Sequence, residues 1–258
     1  MAKRRKSSRR RRRGGFSVLY KLLSLLLICI CLIVALTLFF RIEHIVVTGQ
    51  QRYTAEEVTA ASGVEIGDNL YLLNKPTVVS NILENLPYIE RVKRVNRELP
   101  DTLTIEVEES GRPVALVQDG GVWLISSAGK IVERIEGEDP GSYAAITGLR
   151  LLAPAVGSPI VVAIEDAALE ESLLSLLEAL ESAGMLENVM GIRMDDPDYL
   201  AMDYTERFTV RIPYGADYPY KLRFLQAVLA DEKIQDNMTG TFDMCSDDGR
   251  TNFIQNVR

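Results

Sequence analysis

The sequence predicts an α+β chain with a single N-terminal transmembrane helix, a β-α-α-β-β module and then a mixed β-sheet domain with helices. Three observations predict it. Leu22 to Phe40 is a run of 19 residues whose only polar members are Ser24 and Thr37. From Ile42 to Glu109 the hydrophobic period switches from strand to helix, to helix again, then back to two strands. Beyond Gly111, short β-rich runs alternate with Gly, Asp and Pro turns, and only two amphipathic helices interrupt them.

Residues 1–21 carry ten basic side chains and no acidic one. At ~1.5 Å per residue the apolar run reaches about 28 Å, close to a hydrocarbon core of roughly 30 Å. Basic flanks stay cytoplasmic, so residues 1–21 form a cytoplasmic tail, 22–40 the span, and the remainder lies outside. A cleaved signal peptide has a shorter apolar stretch of ~7–15 residues and a small-residue cleavage site. Here the run is longer and passes straight into Phe39-Phe40-Arg41. Beside a span, the arginine run Arg9–Arg13 fits anionic membrane lipid rather than nucleic acid.

In the first module, Ile42–Thr48 is a strand closed by Gly49. Thr54 followed by Glu57 is a capping box, and that helix ends near Gly63. GVEIGDNLYLL is a turn-rich link. Lys75-Pro76 opens a second helix with Val78, Val79, Ile82, Leu83 and Leu86 at helical spacing, and Pro87 stops it. Ile89–Leu99 and Thr102–Glu109 are strands. In the first, Val92 and Val95 break the period of two, so a β-bulge between them is expected. In the second, Leu103, Ile105 and Val107 face the core, and Glu106 and Glu108 face basic Arg91, Lys93, Arg94 and Arg97. The module closes at residue 110.

In the second domain, 111–258, strands are expected at Arg112–Val117, Val122–Ile125 and Ile131–Ile135. Glu165–Ala183 is an amphipathic helix with Leu169, Leu173, Leu176, Leu177 and Leu180 on one stripe. Further strands are Val189–Met194, Tyr199–Tyr204 and Phe208–Ile212. Tyr218-Pro219 starts a helix with Leu222, Leu225, Val228 and Leu229 inward. Thr241–Cys245 and Thr251–Gln255 flank the turn Asp247-Asp248-Gly249.

The composition excludes most catalytic chemistry outside the membrane. The sole histidine is His44, and Cys245 is the one cysteine beyond the span. Neither a zinc cluster, a Ser-His-Asp triad nor an intrachain disulfide is expected there. Ser127-Ala128-Gly129-Lys130 matches S-x-x-K, the basis of an alternative reading as a membrane-anchored serine acyl-transfer enzyme of the cell wall. That motif needs a helix start, and here it sits on a turn with no K-T-G companion. Asp195, Asp196 and Asp198 read as a solvated hairpin turn rather than a calcium loop. Trp123 reads as a core aromatic. No cofactor and no metal is expected.

The order of segments carries a resemblance. IEHIVVTG, YTAEEV, GVEIGDNLYLL, LENLPYIERV, RELPDTLTIEVEE, GRPVALV, VWLISSAGKIV, ITGL, YPYKLRFLQAVL and TGTFDMCSDDG together look like the cell-division family FtsQ, called DivIB in Gram-positive bacteria. The resemblance implies a polypeptide-transport-associated (POTRA) domain over 41–110 and the family's β-domain over 111–258. It implies a non-enzymatic divisome role at the septum, with FtsL-like and FtsB/DivIC-like bitopic partners and the septal peptidoglycan synthase complex. One departure is Ser126, where many members place an acid after the Leu-Ile of the WLI segment. The expected mechanism is strand addition at the closing strand, Thr251, Asn252, Phe253, Ile254 and Gln255, which has no charge or proline to blunt its edge. Phe253 is its one aromatic residue, and which side chain anchors a partner is left open.

Overall fold

The structure is a computed structural model that describes residues 15–231, 234–235, 237–246 and 251–255. The Arg9–Arg13 run and the Asp247-Asp248-Gly249 turn lie outside the described residues.

Helix α1 (Gly15–Phe39) starts earlier than the apolar run alone suggested, and its most apolar window is Leu19–Thr37. A three-stranded sheet follows, from β1 (His44–Thr48), β2 (Ile89–Glu98) and β3 (Thr102–Glu109), in the order β1-β3-β2. Strand β3 is central, parallel to β1 and antiparallel to β2. Helices α2 (Ala55–Ser62) and α3 (Lys75–Asn85) connect β1 to β2. The expected capping box holds: Thr54 Oγ1 accepts from Glu57 N, and Glu57 accepts from Thr54 N at 2.8 Å. Gly63 ends α2 at φ 72°, a left-handed conformation that glycine adopts without strain. The core of this layer includes Ile42, Val58, Leu70, Ile82, Leu103 and Ile105, all fully buried.

The expected irregularity in β2 falls between Val92 and Arg94, and both Val92 and Val95 pack on the core. A second register shift, between Ile89 and Arg91, was not anticipated. The acidic side chains of β3 pair across the sheet with three of the four expected cations, whereas Arg97 lies opposite Leu103 and donates to Leu73 O at 2.7 Å. Arg91 meets Glu108 at 2.6 Å, Lys93 meets Glu108 at 3.2 Å and Arg94 meets Glu106 at 3.9 Å.

A second, larger sheet contains β4 (Val114–Gln118), β5 (Gly121–Ile125), β6 (Ile131–Glu136), β7 (Ala145–Thr147), β8 (Val189–Arg193), β9 (Tyr199–Tyr204), β10 (Phe208–Pro213), β11 (Gly240–Asp243) and β12 (Asn252–Gln255). Its order is β12-β11-β10-β9-β8-β7-β4-β5-β6. Strand β7, absent from the sequence reading, is the bridge, because it pairs parallel with β4 on one side and with β8 on the other. Without it the two hairpin regions would be separate. Helices α4 (Ala167–Ser182) and α5 (Tyr218–Leu229) pack together. Leu173, Leu176, Leu177, Leu180, Leu222 and Leu225 are buried, six of the stripe positions that the periodicity picked out. Pro219 sits in the first turn of α5, where its missing N–H costs nothing, and Asp217 caps that helix through Tyr220 N at 2.9 Å.

The two sheets meet at a small apolar cluster of Tyr88, Ala115, Val122, Leu124 and Val132. Lys130 reaches across it and donates to the carbonyls of Leu83 and Ile89 at 2.8 and 3.2 Å.

Candidate partner-binding edge

The closing strand is built from the α5 crossover outward. Strand β10 runs parallel to β11, the connection that α5 makes possible, and β12 folds back antiparallel on β11. Lys221 of α5 donates to Met244 O at 2.9 Å and so ties the end of β11 to the helix. Gly240 N bonds Arg207 O at 3.1 Å, which fixes the start of β11. Among the described residues, β12 has a neighbouring strand on one side only.

Alternation decides which side chains a partner would meet. Phe253 points inward. Its ring lies 4.7 Å from that of Phe242 and 6.2 Å from that of Phe208, and those two are 5.2 Å apart. Such offset and edge contacts add ~0.5–1.5 kcal/mol per pair beyond area burial. Phe253 is therefore the strand's own anchor to the core and is not offered outward as a partner's anchor. Gly240 makes the arrangement possible: a Cβ there would lie 2.5 Å from Ile254 O and 2.7 Å from the Phe253 ring.

Ile254 faces the opposite way and is 54% exposed. Register continues from it through Thr241, Thr209 and Asp203. That row is polar: Thr209 donates to Asp203 at 2.8 Å, and Arg193 pairs with Asp203. Ile254 is thus an apolar side chain at the rim of a polar sheet face. Asn252 and Gln255 are exposed, and Thr251 is half-buried. The far edge of the same sheet is different. The outer side of β6 receives the 157–159 loop through Ile131 N to Ser158 O and Gly157 N to Ile131 O, both 2.8 Å. Beyond that point β6 carries Glu133, Arg134 and Glu136, the charge that usually protects an edge. Strand β12 has no comparable device.

Cys245 lies just past β11, with its N–H on Asp243 Oδ1 at 3.0 Å. Burial, reinforced by Asp243, pushes its thiol up to about 11. That is the environment of an inert thiol rather than a nucleophile.

The other candidates disperse. Ser127 is buried on the β5–β6 turn, with its hydroxyl on Glu181 of α4, whereas the Lys130 ammonium sits on the Leu83 and Ile89 carbonyls. Burial holds the Lys130 ammonium below its usual range, with Glu90 opposing the shift. Serine and lysine point to different partners, so the S-x-x-K spacing forms no nucleophile–base pair. Ser126, the departure from the family pattern, accepts from Lys130 N at 3.2 Å and serves that same turn. Asp195, Asp196 and Asp198 form the β8–β9 turn as expected, with Asp196 accepting from Asp198 N and Asp195 from Thr147. Glu109 accepts from Arg52 N and Tyr53 N at 2.7 and 3.0 Å, a structural tie. Trp123 is buried, with Arg134 stacked 5.2 Å over its ring. One grouping escaped the sequence reading. Glu43, His44 and Asp101 each place a ligand atom within 4.8 Å of the others. Asp101 lies 57 residues further along the chain than His44, so no local spacing signalled it.

A family model described as "POTRA domain, FtsQ-type" matches residues 40–110. The cell division protein FtsQ of Syntrophotalea carbinolica is 28% identical over 203 residues, covering 76% of this chain and 67% of that protein. FtsQ of Geotalea daltonii is 31% identical over 117 residues, 45% of this chain and 42% of that one. The cell division protein DivIB of Clostridium botulinum is 32% identical over 117 residues, 45% of this chain and 44% of that one. These matches span from about two fifths to two thirds of the relatives' own lengths.

Proposed function

We propose, from its likeness to the FtsQ/DivIB family of cell-division proteins, that the chain is a non-enzymatic, bitopic scaffold of the bacterial divisome. Residues 1–21 are its cytoplasmic tail and 22–40 its span. Residues 41–110 are its POTRA domain and 111–258 its β-domain, both outside the membrane at the septum. Its partners are FtsL-like and FtsB/DivIC-like bitopic proteins, through which it helps control the septal peptidoglycan synthase. The basic tail holds anionic lipid on the cytoplasmic side.

The single observation that carries this reading is the edge at β12. It is an uncharged strand, pinned from behind by Phe253, with one side unoccupied among the described residues. An extended segment that adds there would gain main-chain hydrogen bonds from the strand and an apolar contact at Ile254. Because the strand is already ordered by its own core, little conformational entropy is lost on its side when a partner docks.

The test is co-purification of the membrane partners with the full chain carrying Ile254→Lys. The exposed face tolerates the change, so the melting temperature is expected to stay put while partner recovery falls at least about tenfold, the loss expected when ~1.4 kcal/mol of binding is removed. Full recovery with Ile254→Lys, and also with Ile254→Pro in a folded domain, would place the partner site elsewhere.

A further inference from the structure

We infer that the loop between α2 and α3 is a second membrane contact, an interfacial foot that lies in the outer leaflet beside the span. This rests on the reading of α1 as membrane-spanning and deepens it. The loop runs from Val64 to Asn74 and contains Asn69-Leu70-Tyr71-Leu72-Leu73, a stretch with no charge. Leu70 is fully buried, but its neighbours turn outward: Leu72 is 78% exposed, and Tyr71 52%. On a soluble surface two adjacent large apolar side chains at the tip of a loop would be a liability.

The loop's position removes the liability. It is fastened to the end of α1 by main-chain and side-chain bonds. Leu70 N donates to Phe40 O at 2.9 Å, Asn69 Nδ2 donates to Thr37 O at 2.9 Å, and Asn69 bridges to Arg41. Thr37 is the last residue of the apolar window of α1. Tyr71 stacks edge-on against Phe40 at 4.9 Å. Between the loop and α1 runs a groove of about 440 Å³, walled by Ile33, Leu36, Phe40, Tyr71 and Leu72. Ile33 lies four residues inside the window's end, which at ~1.5 Å per residue is about 6 Å of depth. Tyr71 and Leu72 therefore flank the helix at a level where the helix itself is in lipid. The tyrosine is suited to that level, since its ring is apolar and its hydroxyl reaches the headgroups. The occupant of the groove is a lipid acyl chain. A helix on its own leaves the outer domains free to swivel about its axis. A foot at a fixed distance from that axis sets which way the first sheet, and the larger sheet docked on it, face along the membrane.

Depth-dependent quenching tests this with the full chain in phosphatidylcholine vesicles brominated either near the headgroup or near the chain end. Three single variants are compared: Leu72→Trp in the loop, Leu26→Trp in the span and Val156→Trp on an exposed loop of the larger sheet. The native Trp123 is buried in the β-domain core and supplies a constant background. The expected result is loss and blue shift of Leu72→Trp emission with the shallow bromine, loss for Leu26→Trp with the deep one, and none for Val156→Trp. Quenching of Leu26→Trp without Leu72→Trp would overturn the foot and leave the span standing. Absence of quenching at Leu26→Trp would overturn both.

Discussion

Glu90 shows how a single side chain records its neighbours. It sits half-buried on β2, and burial is the first cause that raises its carboxyl above the ordinary range. Glu181 and Glu108 add to that shift, and Arg91 opposes it. Lys130 is the nearby cation on the other side of the junction. A carboxyl whose folded value lies above its unfolded one favours the fold while protonated. Its contribution is complete below the unfolded value near 4.3 and is lost as the pH rises through the folded value. At neutral pH the protein therefore bears a charge it would do better without. Glu90→Gln is expected to raise the midpoint of thermal unfolding at pH 7 by about 2 °C, a small gain because water screens a half-exposed group. At pH 4 and below the gain should vanish. A calorimetric pH series checks both arms, and an equal gain at both ends would mean that burial of charge is not the cause.

At the scale of elements, β12 depends on the absence of a side chain in its neighbour. Phe253 covers Gly240 diagonally across the β11–β12 pair, and a Cβ at Gly240 would meet both its ring and the Ile254 carbonyl. Gly240→Ala should cost about 1–3 kcal/mol, the usual penalty of overpacking, and should free β12 before the rest of the sheet. Amide exchange would then accelerate at 252–255 while β8 to β10 keep their protection. Uniform acceleration would mean that β12 is integral to the global fold. This dependence also marks the limit of what the sequence made legible. The existence of the closing strand was readable from Thr251 to Gln255. The inward role of Phe253 was not, because it follows from packing over Gly240, thirteen residues away, on the neighbouring strand. Strand β7 was missed for a related reason. Three residues cannot display a period, and its two parallel partners lie about 30 and 46 residues distant. The capping box, the β2 irregularity and the Glu–Arg/Lys pairs were readable because their causes are local in the chain or repeat along a strand. The Tyr71-Leu72 foot was visible only as a turn-rich link, since its meaning comes from the end of α1 beside it.

The molecule as a whole is a series of attachments, from span to first sheet to larger sheet, and the joint between the sheets rests on a short set of named contacts. That joint is small: one apolar cluster around Tyr88, the Lys130 ammonium on two carbonyls, and the Tyr88 hydroxyl on Glu133. Arg52 stacks 3.7 Å over the Tyr88 ring. Tyr88 is thus an apolar filler, a hydrogen-bond donor and a platform for a cation at once. Burial, with Glu133 as the next cause, raises its phenol well above the ordinary range, so the donor stays protonated at any physiological pH. If the joint makes the outer region a rigid lever, then orientation set at the membrane is carried to β12 at the other end. Hydrogen bonds to charged groups contribute ~1.5–3 kcal/mol each, less where water reaches them, so Lys130→Ala combined with Tyr88→Phe should remove about 3 kcal/mol from the joint. Each sheet meanwhile keeps its own core of buried residues. The expected outcome is that a single cooperative unfolding transition splits into two, with the later one near the wild-type midpoint and a new protease-sensitive site around Ser110–Pro113. A double variant that still unfolds in one step, with the 110–113 linker protected, would show that the sheets are coupled through contacts other than Lys130 and Tyr88.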